Sequence, residues 1–141
     1  MFIRNCQKRL QRIRLRANKR RSMPHCVVEY SQNIPDKVNF KEFFQKLHQI
    51  MVDTGAFKLE RIKSRVITHN NYYIGDGNSE NTFVYLQISI LTGRELPLRK
   101  KLSGDALDLI KTYFPKALAQ MKCSMTVDIR EMDKEAHSSL T

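Results

Sequence analysis

The chain is predicted to be an α+β domain, with two βαβ units forming one four-stranded mixed sheet and two helices on one face of it. Three observations predict this. Residues 82–91 alternate, with Val84, Leu86, Ile88 and Ile90 on one side and Phe83, Tyr85, Gln87 and Ser89 on the other, the pattern of a half-buried strand. Two segments, one from Asn39 and one after Pro97, repeat apolar residues at helical spacing. The order strand–helix–strand occurs twice, and each unit has the length of a βαβ crossover, whose strands run parallel in right-handed connection.

The elements follow in order. His25 to Tyr30, with Val27-Val28, reads as the first strand. Residues 31–38 hold Ser, Asn, Pro and Asp and read as a loop. Asn39, with Glu42 three residues on, opens the first helix in a capping-box arrangement. Its apolar face is Phe40, Phe43, Phe44, Leu47, Ile50 and Met51, and Gly55 suits a left-handed cap at its end. Residues 58–68, rich in Ile and Val among basic residues, read as the second strand. Gly75-Asp76-Gly77-Asn78 lies in a turn over 70–81, before the alternating third strand. The second helix runs to about Gln120 on a stripe of Leu102, Ala106, Leu109, Ile110, Tyr113, Phe114, Ala117, Leu118 and Met121. Pro115 predicts a break inside it. Residues 123–130 alternate again as the last strand, and the polar remainder, 133–141, is expected to fray. The sheet face carrying Phe83 and Tyr85 is not strongly polar, which argues for an oligomer that covers part of it.

Charge divides the chain at Met23-Pro24. Residues 1–22 carry nine Lys/Arg and no acid, whereas residues 23–141 carry 16 basic and 14 acidic groups. The overall formal charge of +11 therefore describes the extension and not the domain at 23–141. The extension is open to three readings: an Arg-rich targeting segment, a nucleic-acid arm, or an over-extended start with translation beginning at Met23. It is expected to be disordered or never made. No apolar stretch is long enough to span a bilayer, and no membrane partner is expected. Cys6, Cys26 and Cys123 lack metal spacing and are expected as free thiols in a reducing cytoplasm. His25, His48, His69 and His137 make no metal spacing either, and neither a metal nor a cofactor is expected.

Chemistry concentrates at Pro24. If translation starts at Met23, removal of that Met leaves Pro24 as an N-terminal secondary amine at the start of a strand. An α-amine titrates near pH ~8 in unstructured peptides, and nearby cations or an apolar wall push that down. Such an amine suits proton abstraction near neutrality. As an internal residue, Pro24 has an amide nitrogen and is simply acceptable at a strand start. Period two puts Arg61, Lys63 and Arg65 on one face of the second strand, either as a solvated basic face or as a carboxylate-binding one. Arg94 follows Gly93, whose turn either aims it into a pocket or leaves it exposed.

From Met23 onward the chain resembles the 5-carboxymethyl-2-hydroxymuconate isomerase family of the tautomerase superfamily. The carrying residues are Met23-Pro24-His25-Cys26-Val27-Val28-Glu29-Tyr30 through Asn33-Ile34, Thr54-Gly55 and Ile62-Lys63-Ser64-Arg65-Val66. Gly75-Asp76-Gly77, Phe83-Val84, Gly93-Arg94 and Leu109 through Phe114 continue it. The likeness covers about residues 23–132. It implies a homotrimer with sites between subunits, no cofactor, a catalytic N-terminal Pro24, and Lys63, Arg65 and Arg94 as substrate-carboxylate ligands. Relatives often carry Arg where this chain has Lys63, and Lys offers a point charge in place of a fork. The activity implied is isomerisation of 5-carboxymethyl-2-hydroxymuconate in homoprotocatechuate catabolism. Two alternatives stand beside it. A βαββαβ order with a basic arm and Thr82-Phe83-Val84-Tyr85 also fits an RNA-binding module. A tautomerase-fold protein with Pro24 blocked would be inactive.

Overall fold

The computed structural model describes residues 3–10 and 23–140. Residues 3–10 are helical and exposed. The other expectations for the extension, including where translation starts, lie outside the described residues. The domain runs β1 (His25–Ser31), α1 (Phe40–Asp53), a 3₁₀ turn (Leu59–Arg61), β2 (Lys63–His69), β3 (Asn81–Leu91), α2 (Leu96–Tyr113), α3 (Pro115–Gln120) and β4 (Lys122–Met132). The sheet order is β2-β1-β3-β4. β1 pairs parallel with β2, β3 pairs parallel with β4, and β1 meets β3 antiparallel. Each βαβ unit thus closes on adjacent strands. A split βαβ, in which a third strand separates the pair, is a different topology.

The helices bury their apolar faces on one side of the sheet. Phe43, Leu47 and Met51 of α1 and Leu102, Ala106 and Ile110 of α2 are fully buried with Cys26, Val28, Leu86 and Ile88. Burying each large side chain contributes roughly 1.5–3 kcal/mol. Asn39 caps α1, its Oδ1 accepting from Glu42 N at 3.2 Å. The reciprocal half of the capping box is not used. Glu42 instead meets Lys46 at 3.1 Å and accepts from Tyr113 Oη at 3.0 Å, tying α1 to α2. Gly55 takes the left-handed conformation, with φ 76°, after the Thr54 cap.

Three expectations need correction. The second strand does not include residues 58–62. Arg61 N bonds Lys58 O at 3.0 Å and Ile62 N bonds Leu59 O at 3.2 Å, a local turn. The β1–β2 ladder starts where Lys63 N donates to Pro24 O at 3.0 Å. Arg61 is therefore not on the strand face with Lys63 and Arg65. In the second helical segment, Leu118 is 46 % exposed and not part of the buried stripe. The break at Phe114 resets the helical phase, and the Asp36 carboxylate accepts from Lys116 N (2.9 Å) and Ala117 N (2.7 Å) to start α3 anew. Finally, the segment after β4 is not frayed throughout. Lys134 N donates to Thr92 Oγ1 at 3.4 Å, and His137 is half-buried.

Candidate active site

Pro24 is buried and immediately precedes β1. Its carbonyl is the first acceptor of the β1–β2 ladder, which fixes the residue where the strand begins. Pairing then brings His25 opposite Lys63 and Val27 opposite Arg65. On β3, His25 faces Ser89. These residues lie on the sheet face away from the helices, because Cys26 and Val28, one position out of phase, are buried beneath α1 and α2.

His25 links the cations. Arg65 Nη1 lies 3.2 Å from His25 Nδ1. A guanidinium cannot accept, so Nδ1 is the acceptor and the imidazole is neutral in this contact. Burial first, then the charges of Arg65, Lys63 and His137, hold the His25 imidazole below its ordinary range. Lys63 and Arg65 make no ion pair with an acid among the described residues. Glu29, on the same strand face, is engaged by His69 at 3.1 Å.

Arg94 is half-buried and not left exposed in its turn. Its Nη2 donates to Ala56 O at 3.2 Å, and its guanidinium carbon lies 5.5 Å from the centre of the Phe57 ring. Its Nε is enclosed and without a partner. Arg94 O accepts from Arg99 Nε at 3.2 Å, and Arg99 also pairs with Glu131 at 3.4 Å, so the turn is braced from α2. Lys63, Arg65 and Pro24 are thus gathered at the start of β1. Arg94 is held against the turn after α1.

The reading from sequence missed His25, which lies next to Pro24 in the chain and contacts Arg65. Its signal was its alternation with Cys26. It also missed the Ala56–Phe57 seat of Arg94, for which no local pattern exists. His48 bonds Ser64 Oγ at 2.7 Å on the helix side of the sheet, away from this cluster. Cys26 is inert: burial pushes its thiol up to about 11, and its Sγ lies 3.6 Å from Met51 Sδ. Among the described residues no group of three or more His, Cys, Asp or Glu is placed to hold a metal ion. No helix of the described residues is long and apolar enough to cross a membrane.

Comparison with known proteins agrees with the resemblance read from sequence. A family profile described as 5-carboxymethyl-2-hydroxymuconate isomerase matches residues 24–140. The 5-carboxymethyl-2-hydroxymuconate Delta-isomerase of Escherichia coli is 30% identical over 110 residues, covering 78% of this chain and 87% of that protein. A crystal structure of a 5-carboxymethyl-2-hydroxymuconate isomerase from Deinococcus radiodurans R1 superposes with TM-score 0.77 at 24% identity, covering 84% of this chain and 90% of that one. A fused 4-OT symmetric trimer shares the fold, with TM-score 0.65 at 12% identity over 82% of this chain and 90% of that one.

Proposed function

The chain belongs to the 5-carboxymethyl-2-hydroxymuconate isomerase family, and from that membership we propose a cofactor-independent isomerase that uses Pro24, freed as the N-terminal residue, to move a proton within 5-carboxymethyl-2-hydroxymuconate. The observation that carries the mechanism is the start of β1. Pro24 is anchored there through Lys63 N, at the edge of a cation cluster that has no ion-paired acid among the described residues. The family match also begins at Pro24 itself.

In this reading the neutral Pro24 amine takes the proton of the 2-hydroxyl. The O–H electron pair becomes the 2-oxo C=O, the conjugated double bonds shift along the chain, and the Pro24 ammonium returns its proton to a distant carbon. The product is the conjugated 2-oxo acid, and atoms balance without an added reactant. Nearby cations disfavour the Pro24 ammonium and keep the base partly free at neutral pH. Lys63 and Arg65 bind substrate carboxylate and stabilise the dienolate as charge develops. Arg94 serves a second carboxylate through its guanidinium. A homotrimer that buries the open sheet face and places sites between subunits, in the cytoplasm and in homoprotocatechuate catabolism, completes the reading. The adjacent-strand βαβ units and family membership favour it over nucleic-acid binding.

The test is Pro24→Ala in the protein whose N-terminus at residue 24 has been verified by intact mass. Dienol turnover, followed by ultraviolet absorbance, should fall about 10²–10⁴-fold, the usual contribution of a positioned general base. Unchanged turnover would sink the mechanism. Full turnover by protein that retains Met23 would sink it equally.

A further inference from the structure

The fold brings Thr54-Gly55 and Gly93-Arg94, far apart in the chain, into one contact. The Thr54 hydroxyl donates to Met51 O at 2.6 Å and accepts from Ala56 N at 3.3 Å, and Gly55, at φ 76°, turns the chain out of α1. The turn fixes the Ala56 carbonyl, which accepts from Arg94 Nη2 at 3.2 Å, and it sets Phe57 in the core. Gly93, at φ 110°, takes a conformation that disfavours a side chain and delivers Arg94 to this seat. The Arg94 guanidinium carbon lies over the Phe57 ring, 5.5 Å from its centre. Both partners are uncharged. Arg99 and Arg130, in contrast, are held by the carboxylates of Glu131 at 3.4 Å and Asp128 at 3.0 Å. No acid is ion-paired with Arg94 among the described residues. A carboxylate partner would cancel the charge of a guanidinium and occupy its fork. An aromatic face attracts the cation through the ring quadrupole and leaves that charge in place.

We propose that Phe57 is a positioning residue for the isomerase, its ring holding the Arg94 guanidinium against the turn after α1 with the positive charge left free for a substrate carboxylate. The proposal rests on the isomerase reading and on Arg94 as a carboxylate ligand within it. Phe57 is buried and acts only through Arg94. A long arginine side chain otherwise samples many rotamers, and ordering it on binding costs affinity. Ring and carbonyl fix it before the substrate arrives, at the expense of one of its five N–H groups. The carboxylate met by Arg94 is not the reacting group, so the contact is present in ground and transition states alike. Loss of the ring therefore raises KM and leaves kcat nearly unchanged.

The experiment reads dienol turnover in protein whose N-terminus at residue 24 has been verified by intact mass, and NMR in the full chain. Folding of each variant is checked by thermal unfolding. Phe57→Leu should raise KM about 3- to 30-fold at near-constant kcat, the range of a cation–π attraction at a half-buried site. Arg94→Ala should raise KM about 10-fold or more. Adding Phe57→Leu to Arg94→Ala should then change KM less than about twofold, because the ring has lost the group it acts on. Difluoro- and pentafluorophenylalanine at position 57 keep the ring while draining its face of negative charge, so KM should rise in that order. This series also decides the matter if Phe57→Leu does not fold. By NMR, rotation of the Arg94 guanidinium about Nε–Cζ should be slow in wild type and faster in Phe57→Leu. A KM indifferent to fluorination, an unchanged rotation rate in folded Phe57→Leu, or a Phe57→Leu effect that persists in full beside Arg94→Ala overturns the proposal. An unchanged KM in Arg94→Ala overturns it too, and leaves the isomerase standing. Absence of dienol turnover in wild type with Pro24 freed overturns the isomerase reading instead, and the rotation rate still decides whether the ring positions Arg94.

Discussion

The two βαβ units share a topology and differ in how they use the polar groups of the open sheet face. On β3 and β4 those groups satisfy one another. Tyr85 Oη donates to Asp128 Oδ2 at 3.0 Å, Arg130 Nε donates to the same oxygen at 3.0 Å, and Gln87 Nε2 donates to Ser89 Oγ at 3.1 Å. On β1 and β2, Lys63 and Arg65 have no acid paired with them among the described residues, and Arg65 leans on a neutral imidazole. The acid that could have neutralised them, Glu29, is taken by His69 further along the strands. On β1 and β2 two cations beside a buried proline have no acid paired with them among the described residues.

The sharpest way to break this contrast is to remove one arginine from each unit. Arg65→Ala should lower kcat/KM about 10–100-fold, since a hydrogen bond to a charged group is worth roughly 1.5–3 kcal/mol. Arg130→Ala should change it less than about twofold, because its partner Asp128 is on the protein. Equal losses in steady-state kinetics would erase the distinction between the two halves.

A second, smaller effect is in titration. The folded His25 imidazole is held below its ordinary value of 6.5 by burial and then by Arg65 and Lys63. Below that ordinary value the unfolded chain takes up the proton first, so stability falls as pH drops through about 6.5, and the loss is complete below the folded value. In an NMR titration the His25 midpoint should lie below 6.5. In Arg65→Ala it should rise toward that value, and the acid-side loss of stability should shrink. A midpoint unmoved by Arg65→Ala would show that the two side chains are not coupled.

The smallest effect belongs to the self-satisfied half. Tyr85→Phe removes one half-exposed hydrogen bond to Asp128 and should cost less than about 1 kcal/mol in urea unfolding. Dienol turnover should not change. A turnover loss comparable to that of Arg65→Ala would bring the β3–β4 network into the site.

Periodicity made the elements legible because burial on one side imposes it. Val84, Leu86, Ile88 and Ile90 are enclosed while Phe83 to Ser89 alternate outward. Asn39 and Gly55 marked the ends of α1 because backbone groups there need a side-chain acceptor and a left-handed residue. The 3₁₀ turn at Leu59–Arg61 was not legible. Residues 58–62 have strand-like composition, but the ladder can begin only at the Pro24 carbonyl, a long-range fact. The Asp36 contacts that start α3 were hidden for the same reason, since they join positions 80 residues and more apart.

By itself the sequence determined the two βαβ units, the basic extension set against a near-neutral domain, and Pro24 with Lys63, Arg65 and Arg94 as the residues to watch. Local patterns suffice for these, because alternation, capping and charge runs are written in adjacent residues. Only the tertiary structure decided who meets whom. Strand pairing set His25 against Lys63 and brought it to Arg65, and the turn after α1 drew Arg94 onto Phe57. The bonds from Thr92 held the start of the C-terminal segment against the end of β3. Such meetings depend on the register of strands and the path of loops, which no short stretch of chain encodes.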